Sequence, residues 1–163
     1  MDQAVKAPMT ASEKEAFHRD AEARIQTFSY TKPEVFDDRM PKQFISLFRS
    51  DLIRLAVQVV KEGGENNLHY HTGGDNAWMI LKGAARFYGV GDKLLGEFHP
   101  NQGILLPGGS RYWFEKIGDE DLEILQIVCK ETRGADTKRI NVDKHKNWMT
   151  DDFLQIYDEQ KAG

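Results

Sequence analysis

Residues 63–83 read GGENNLHYHTGGDNAWMILKG, and the fold turns on how this stretch is divided. Gly63-Gly64, Gly73-Gly74 and Lys82-Gly83 are turn signals. The pieces between them, LHYH and NAWMILK, are too short for helices and read as strands. On a strand, residues two apart face the same way. His69 and His71 therefore project together, with Tyr70 on the other side. Alternation puts Asn76, Trp78 and Ile80 on one face and Asp75, Ala77 and Met79 on the other. The glycine pair just before them can break that phase, so Asp75 and Asn76 both stay open as inward residues.

Outward from this stretch, the pattern is strand after strand from Gln43 to Val142. IRLAVQVVK alternates Ile53, Leu55, Val57 and Val59 with Arg54, Ala56 and Gln58, which predicts a buried apolar face and a solvated Arg54. ARFYGV, KLLGEF, GILLPGG, YWFEKI and LEILQIVCK follow, separated by Gly91-Asp92, Pro107-Gly108-Gly109 and Gly118-Asp119. Many short strands broken by Gly-rich turns predict an all-β antiparallel sandwich or barrel.

The flanks differ. Residues 10–27 are rich in helix formers, with Ser12 and Glu15 in capping-box spacing. Phe17, Ala21 and Ile25 make one thin apolar stripe, fitting a helix laid on a larger body or a mobile arm. The spacing therefore predicts an N-terminal helical arm and connector over 1–42, a barrel over 43–142 and a short C-terminal helix over 143–163. In that last helix Thr150 is the N-cap, and Phe153, Ile156 and Tyr157 form the packing face.

Composition narrows the function classes. A formal net charge of −4 with scattered Lys and Arg argues against nucleic acid. No apolar run approaches a membrane span. The single cysteine, Cys129, permits no internal disulfide, and the N-terminus has no apolar leader; both point to a cytoplasmic setting.

Two imidazoles side by side can hold one divalent cation. Gly63 lies six positions before His69, Asn76 five after His71, and Gly83 seven after Asn76. Further on, PGGSRYWFE supplies a Pro-x-Gly turn leading into a strand. This arrangement resembles the cupin superfamily over roughly residues 43–130, with 63–83 matching its first motif in spacing and 107–112 the core of its second. Asn76 stands where that family keeps a glutamate, although Asp75 occupies an allowed alternative spacing. Tyr112 stands at the last histidine, Lys116 at the final asparagine, and Asn101 and Gln102 at the leading Gly and the acid after it.

The resemblance implies a jelly-roll barrel, a homodimer, and an enzyme acting on a small organic molecule inside the barrel. The chemistry it implies is metal-assisted, of oxygenase, isomerase or lyase type. The metal would be iron, manganese, nickel or zinc, held by His69 and His71 with Asp75, Asn76 or Tyr112. Two further readings stand beside it: a metal-free site in which His69, His71 and Tyr112 act as acid and base, and a non-catalytic ligand-binding or sensor module. Trp78 is expected to wall the pocket. Arg86 is expected to anchor a substrate carboxylate, ahead of Arg111, which alternation turns the other way from Tyr112. His99, in a Pro-containing turn, reads as exposed.

Overall fold

The computed structural model describes residues 8–34, 37 and 40–143. The C-terminal helix expected over 143–163 lies outside the described residues, apart from Asp143. Helix α1 (Ala11–Glu22) is capped by Thr10, not Ser12. The Thr10 hydroxyl accepts from the Glu13 amide, and the Glu13 carboxylate accepts from the Thr10 amide at 2.7 Å. The threonine-to-glutamate box two residues upstream wins because it adds helical residues at no cost in capping. None of α1 is buried, and Phe17 and Ile25 remain exposed.

Ten strands follow: β1 (Lys42–Arg49), β2 (Ile53–Val60), β3 (His69–His71), β4 (Gly74–Lys82), β5 (Ala84–Tyr88), β6 (Leu94–Phe98), β7 (Gly103–Leu106), β8 (Trp113–Ile117), β9 (Leu122–Lys130) and β10 (Arg139–Asn141). All pairings are antiparallel. One sheet runs β1-β2-β9-β4-β7, a second runs β6-β5-β8, and β10 pairs with β3. A bridge between His69 and Tyr112 joins β3 to the entrance of β8. The sheets are not closed into a continuous barrel; they form a jelly-roll sandwich, as the strand pattern predicts. Gly83 permits the tight β4–β5 hairpin, with φ +76° and the Asp121 carbonyl oxygen 2.8 Å from where a Cβ would sit. No described helix is long and apolar enough to cross a membrane.

The core lies between the sheets. Phe87 stacks on Phe114 with centroids 5.0 Å apart, and Trp78 packs on Phe114 at 5.2 Å. Val60, Ile80, Leu122 and Ile124 fill the remainder.

The facing of β2 corrects the sequence expectation. Val60 belongs to the core, so Arg54, Ala56 and Gln58 point inward with it, while Leu55, Val57 and Val59 point out. Those outward residues are nevertheless buried, at 8%, 0% and 0% exposure. The segment after α1 reaches this outer side. Phe28 packs on Phe48 of β1, Tyr30 donates to Glu123 of β9 at 2.7 Å, and Lys32 pairs with Asp121 at 2.8 Å. Residues 28–32 thus form a strap across the outer face of β1, β2 and β9.

Tyr30→Phe removes the strap's hydrogen bond to Glu123, a carboxylate that is only 7% exposed. A loss of about 1–3 kcal/mol is expected, lowering Tm by roughly 3–10 °C for a chain of this size. An unchanged melting curve would show that this hydrogen bond contributes nothing to the fold.

Candidate functional site

β3 carries the two histidines in the facing their spacing predicts. His69 is 2% exposed and its main chain is tied to Tyr112 in both directions, at 3.1 and 2.9 Å. Its Nδ1 lies 2.7 Å from the Asn67 carbonyl oxygen. A carbonyl only accepts, so Nδ1 carries the proton and Nε2 presents a lone pair. The half-buried His71 ring lies 5.1 Å from that of His69, and the buried Tyr112 ring 4.6 Å from it. Trp78, 3% exposed, stands 6.4 Å from Tyr112 between ring centroids. His69, His71, Tyr112 and Trp78 are therefore brought together.

Asn76 is also inward and buried, but its side chain is engaged. Gln58 donates to Gln126, and Gln126 donates to the Asn76 Oδ1, both at 3.2 Å. This amide chain crosses β2, β9 and β4 on the inner face. Two buried atoms on that face have no hydrogen-bond partner among the described residues: Trp78 Nε1 and Gln58 Oε1.

Two expected site residues lie elsewhere. Asp75 is exposed on the outer face of β4, where its Oδ1 accepts from the Gly108 amide at 2.8 Å. The glycine pair does not break the strand's phase, so Asp75 anchors the Pro107–Gly109 turn instead of joining the histidines. Arg86 points outward from β5 and pairs with Glu97 at 2.8 Å, its side chain 43% exposed. It cannot anchor a ligand between the sheets. His99 is an exposed turn residue beside Glu97, as expected.

Positive groups lie close to His69. Burial, helped by the positive charge of Arg139 and by His71 and Lys42, pushes the His69 imidazole down to about 2. The Asn67 carbonyl pulls the other way and loses. Lys42 is 1% exposed, lies 4.9 Å above the Phe114 ring and donates to Asn66. Arg139, on β10, sits opposite His71 and donates to Asn67 at 2.5 Å. Sequence reading missed Lys42, Arg54, Gln58, Gln126 and Arg139. The signals for them were Gln58 and Gln126, each a polar residue interrupting an otherwise apolar run.

This donor set does not fit a resident divalent cation. No three His, Cys, Asp or Glu side chains converge among the described residues. Two neutral imidazoles, an amide whose oxygen is already accepting, and a phenol leave the added double charge uncompensated. The nearest charged groups are themselves positive, which raises the cost further.

Several solved structures share this architecture. An RmlC-like cupin protein from Desulfovibrio desulfuricans matches with a TM-score of 0.55 at 18% identity, over 64% of this chain and 96% of its own. A protein with a double-stranded β-helix domain from Klebsiella pneumoniae matches with a TM-score of 0.57 at 16% identity, over 74% and 95%. An RmlC-like cupin family protein from Methanocaldococcus jannaschii matches with a TM-score of 0.52 at 13% identity, over 66% and 92%. No protein-family model and no curated protein matches the sequence. At these identities the likeness is one of fold: the chain has the cupin jelly roll, the double-stranded β-helix.

The His69 environment sets a pH dependence. Its folded pKa lies below the unfolded value of about 6.5. As pH falls through 6.5 the unfolded chain takes up a proton that the folded state refuses, so stability falls with pH. Urea midpoints should correspond to a loss of roughly 1 kcal/mol between pH 7 and 5.5 from this residue. His69→Gln should flatten that part of the profile. An equally steep profile in the variant would assign the effect to another group.

Proposed function

We propose that the interior between the two sheets binds a small organic molecule without a resident metal ion. One observation carries the reading: the Trp78 indole N–H and the Gln58 amide oxygen are both deeply buried on the inner face and lack a partner among the described residues. Buried polar groups in folded proteins are paired almost without exception, so an orphan donor and an orphan acceptor on the same inner face point to bound groups that satisfy them. His69 adds an acceptor at Nε2, held in one tautomer by Asn67. The phenol of Tyr112 adds a hydroxyl beside it.

Metal-assisted turnover finds no support in the donor set, since the one carboxylate next to Asn76 lies on the outer face. Acid–base turnover places little demand on His69. A general base works best with a pKa near the operating pH, and this imidazole lies far below it. A proton transfer inside the site would therefore run between Tyr112 and His71, with His69 as a fixed hydrogen-bond acceptor.

A thermal-shift screen of small organic acids, alcohols and sugars in the presence of a chelator tests the proposal. At least one compound should raise Tm with chelator present. Trp78→Phe, which keeps the ring packing but deletes the N–H, should weaken that compound about 5–10-fold. Stabilisation that appears only when a divalent metal is supplied would overturn the reading.

A further inference from the structure

The two larger sheets differ on their outer faces. On the β6-β5-β8 sheet that face is polar: Arg86 pairs with Glu97 at 2.8 Å, and Tyr88 donates to Glu115 at 2.7 Å. On the five-stranded sheet the middle of the outer face is apolar. Cross-strand register sets Leu55, Ile127, Ala77 and Leu105 in one row, and Val57, Leu125, Met79 and Gly103 in the next. On their inner side the same strands bury Trp78, Ile80 and Ile124. An antiparallel sheet with one solvated face alternates apolar and polar residues. β9 and β4 are largely apolar on both sides, which marks a middle layer with a further layer due outside.

At the β2 side of this face Leu55 and Val57 are buried. On β4 and β7 the apolar side chains stay open, with Leu105 62% exposed and Met79 36%. The continuation of the chain leaves from the other edge. The Asp143 carbonyl accepts from Asn67 just before β3, and Lys42 of β1 donates to the adjacent Asn66. β1 and β7 are opposite edges of the sheet, four strand spacings or roughly 19 Å apart.

The charges around the patch fit a second copy. Its centre is uncharged, and β4 carries one outward charge at each end. Asp75 is exposed beside Cys129, and the exposed Lys82 is the cross-strand partner of the outward Glu123. Two copies stacked face to face are related by a two-fold axis lying in the interface plane. An axis along the strands would set Asp75 over Asp75 and Lys82 over Lys82. An axis across them sets Asp75 of each copy over Lys82 of the other and brings the two Met79 side chains together at the centre.

We propose that the outer face of β9, β4 and β7 joins two copies of this chain, with β4 crossing its own copy in the antiparallel sense. The fold resemblance implies a homodimer; the face and the crossing come from the strand register and its charges. The inference is independent of the ligand reading.

Sedimentation equilibrium of the full chain over a micromolar concentration series tests it. The wild type should approach twice 18.7 kDa. Met79→Lys sets two ammonium groups against each other across the axis and should raise the dissociation constant by roughly 10-fold or more. Leu105→Lys should act in the same direction, whereas Leu94→Lys, at an exposed leucine of β6, should leave the dimer intact. Asp75→Lys and Lys82→Glu should each weaken the dimer several-fold, and the double variant should restore it because each facing pair again has opposite signs. Restoration separates a contact across the axis from the lost bond between Asp75 and Gly108, which the double variant lacks as well. Melting curves check that each variant folds. The inference fails if the wild type stays monomeric throughout the series, if Met79→Lys and Leu105→Lys associate like the wild type, or if the double charge variant associates no more tightly than the single ones. A monomer would assign the face to residues 144–163 or to a different protein.

Discussion

The strap that crosses the outer face of β1, β2 and β9 is the contact on which the rest depends. Leu55, Val57 and Val59 point away from the interior and are still buried, and Phe28, Tyr30 and Lys32 reach the strands on that same side through Phe48, Glu123 and Asp121. Because the strap buries that side, the inner side of β2 can carry Arg54 and Gln58. Apolar burial on the outside thus holds together a sheet whose inside is partly polar. The partly polar inside is where the proposed ligand site lies.

Inside, the polar groups are divided by level. At one level the amide chain Gln58–Gln126–Asn76 is tied to itself, which fixes those side chains and leaves specific atoms over. Across from it, His69 is locked by Asn67 into one tautomer and kept neutral by burial and nearby positive charge. Arg139 and Lys42 act on His69 in the same sense as burial, against its protonated form.

Much of this was legible in the sequence, for physical reasons. Strand periodicity and Gly-rich turns carry the jelly roll, because turns and alternation are local properties. The joint facing of His69 with His71, and of Asn76 with Trp78, follows from the two-residue repeat alone. What failed was the assignment of inside and outside on β2. Alternation shows that a strand has an apolar face but not which side of the sheet it takes, and a strap about 20 residues away in sequence decided it. The same gap sent Arg54 to solvent and Arg86 to the site. Asp75 was left open by the glycine pair, and only its bond to Gly108 settles that it faces out. The caps of α1 shifted by two residues because two capping boxes overlap there.

The central claim is that a pair of histidines in this fold can line a buried interior that holds no metal. Elemental analysis of protein purified without an affinity tag, from cells grown with iron, manganese, nickel and zinc, tests it most directly. The account predicts far less than one equivalent of any of these metals, unchanged in a His69→Ala, His71→Ala double variant. Near-stoichiometric metal in the wild type that disappears from the double variant would contradict it.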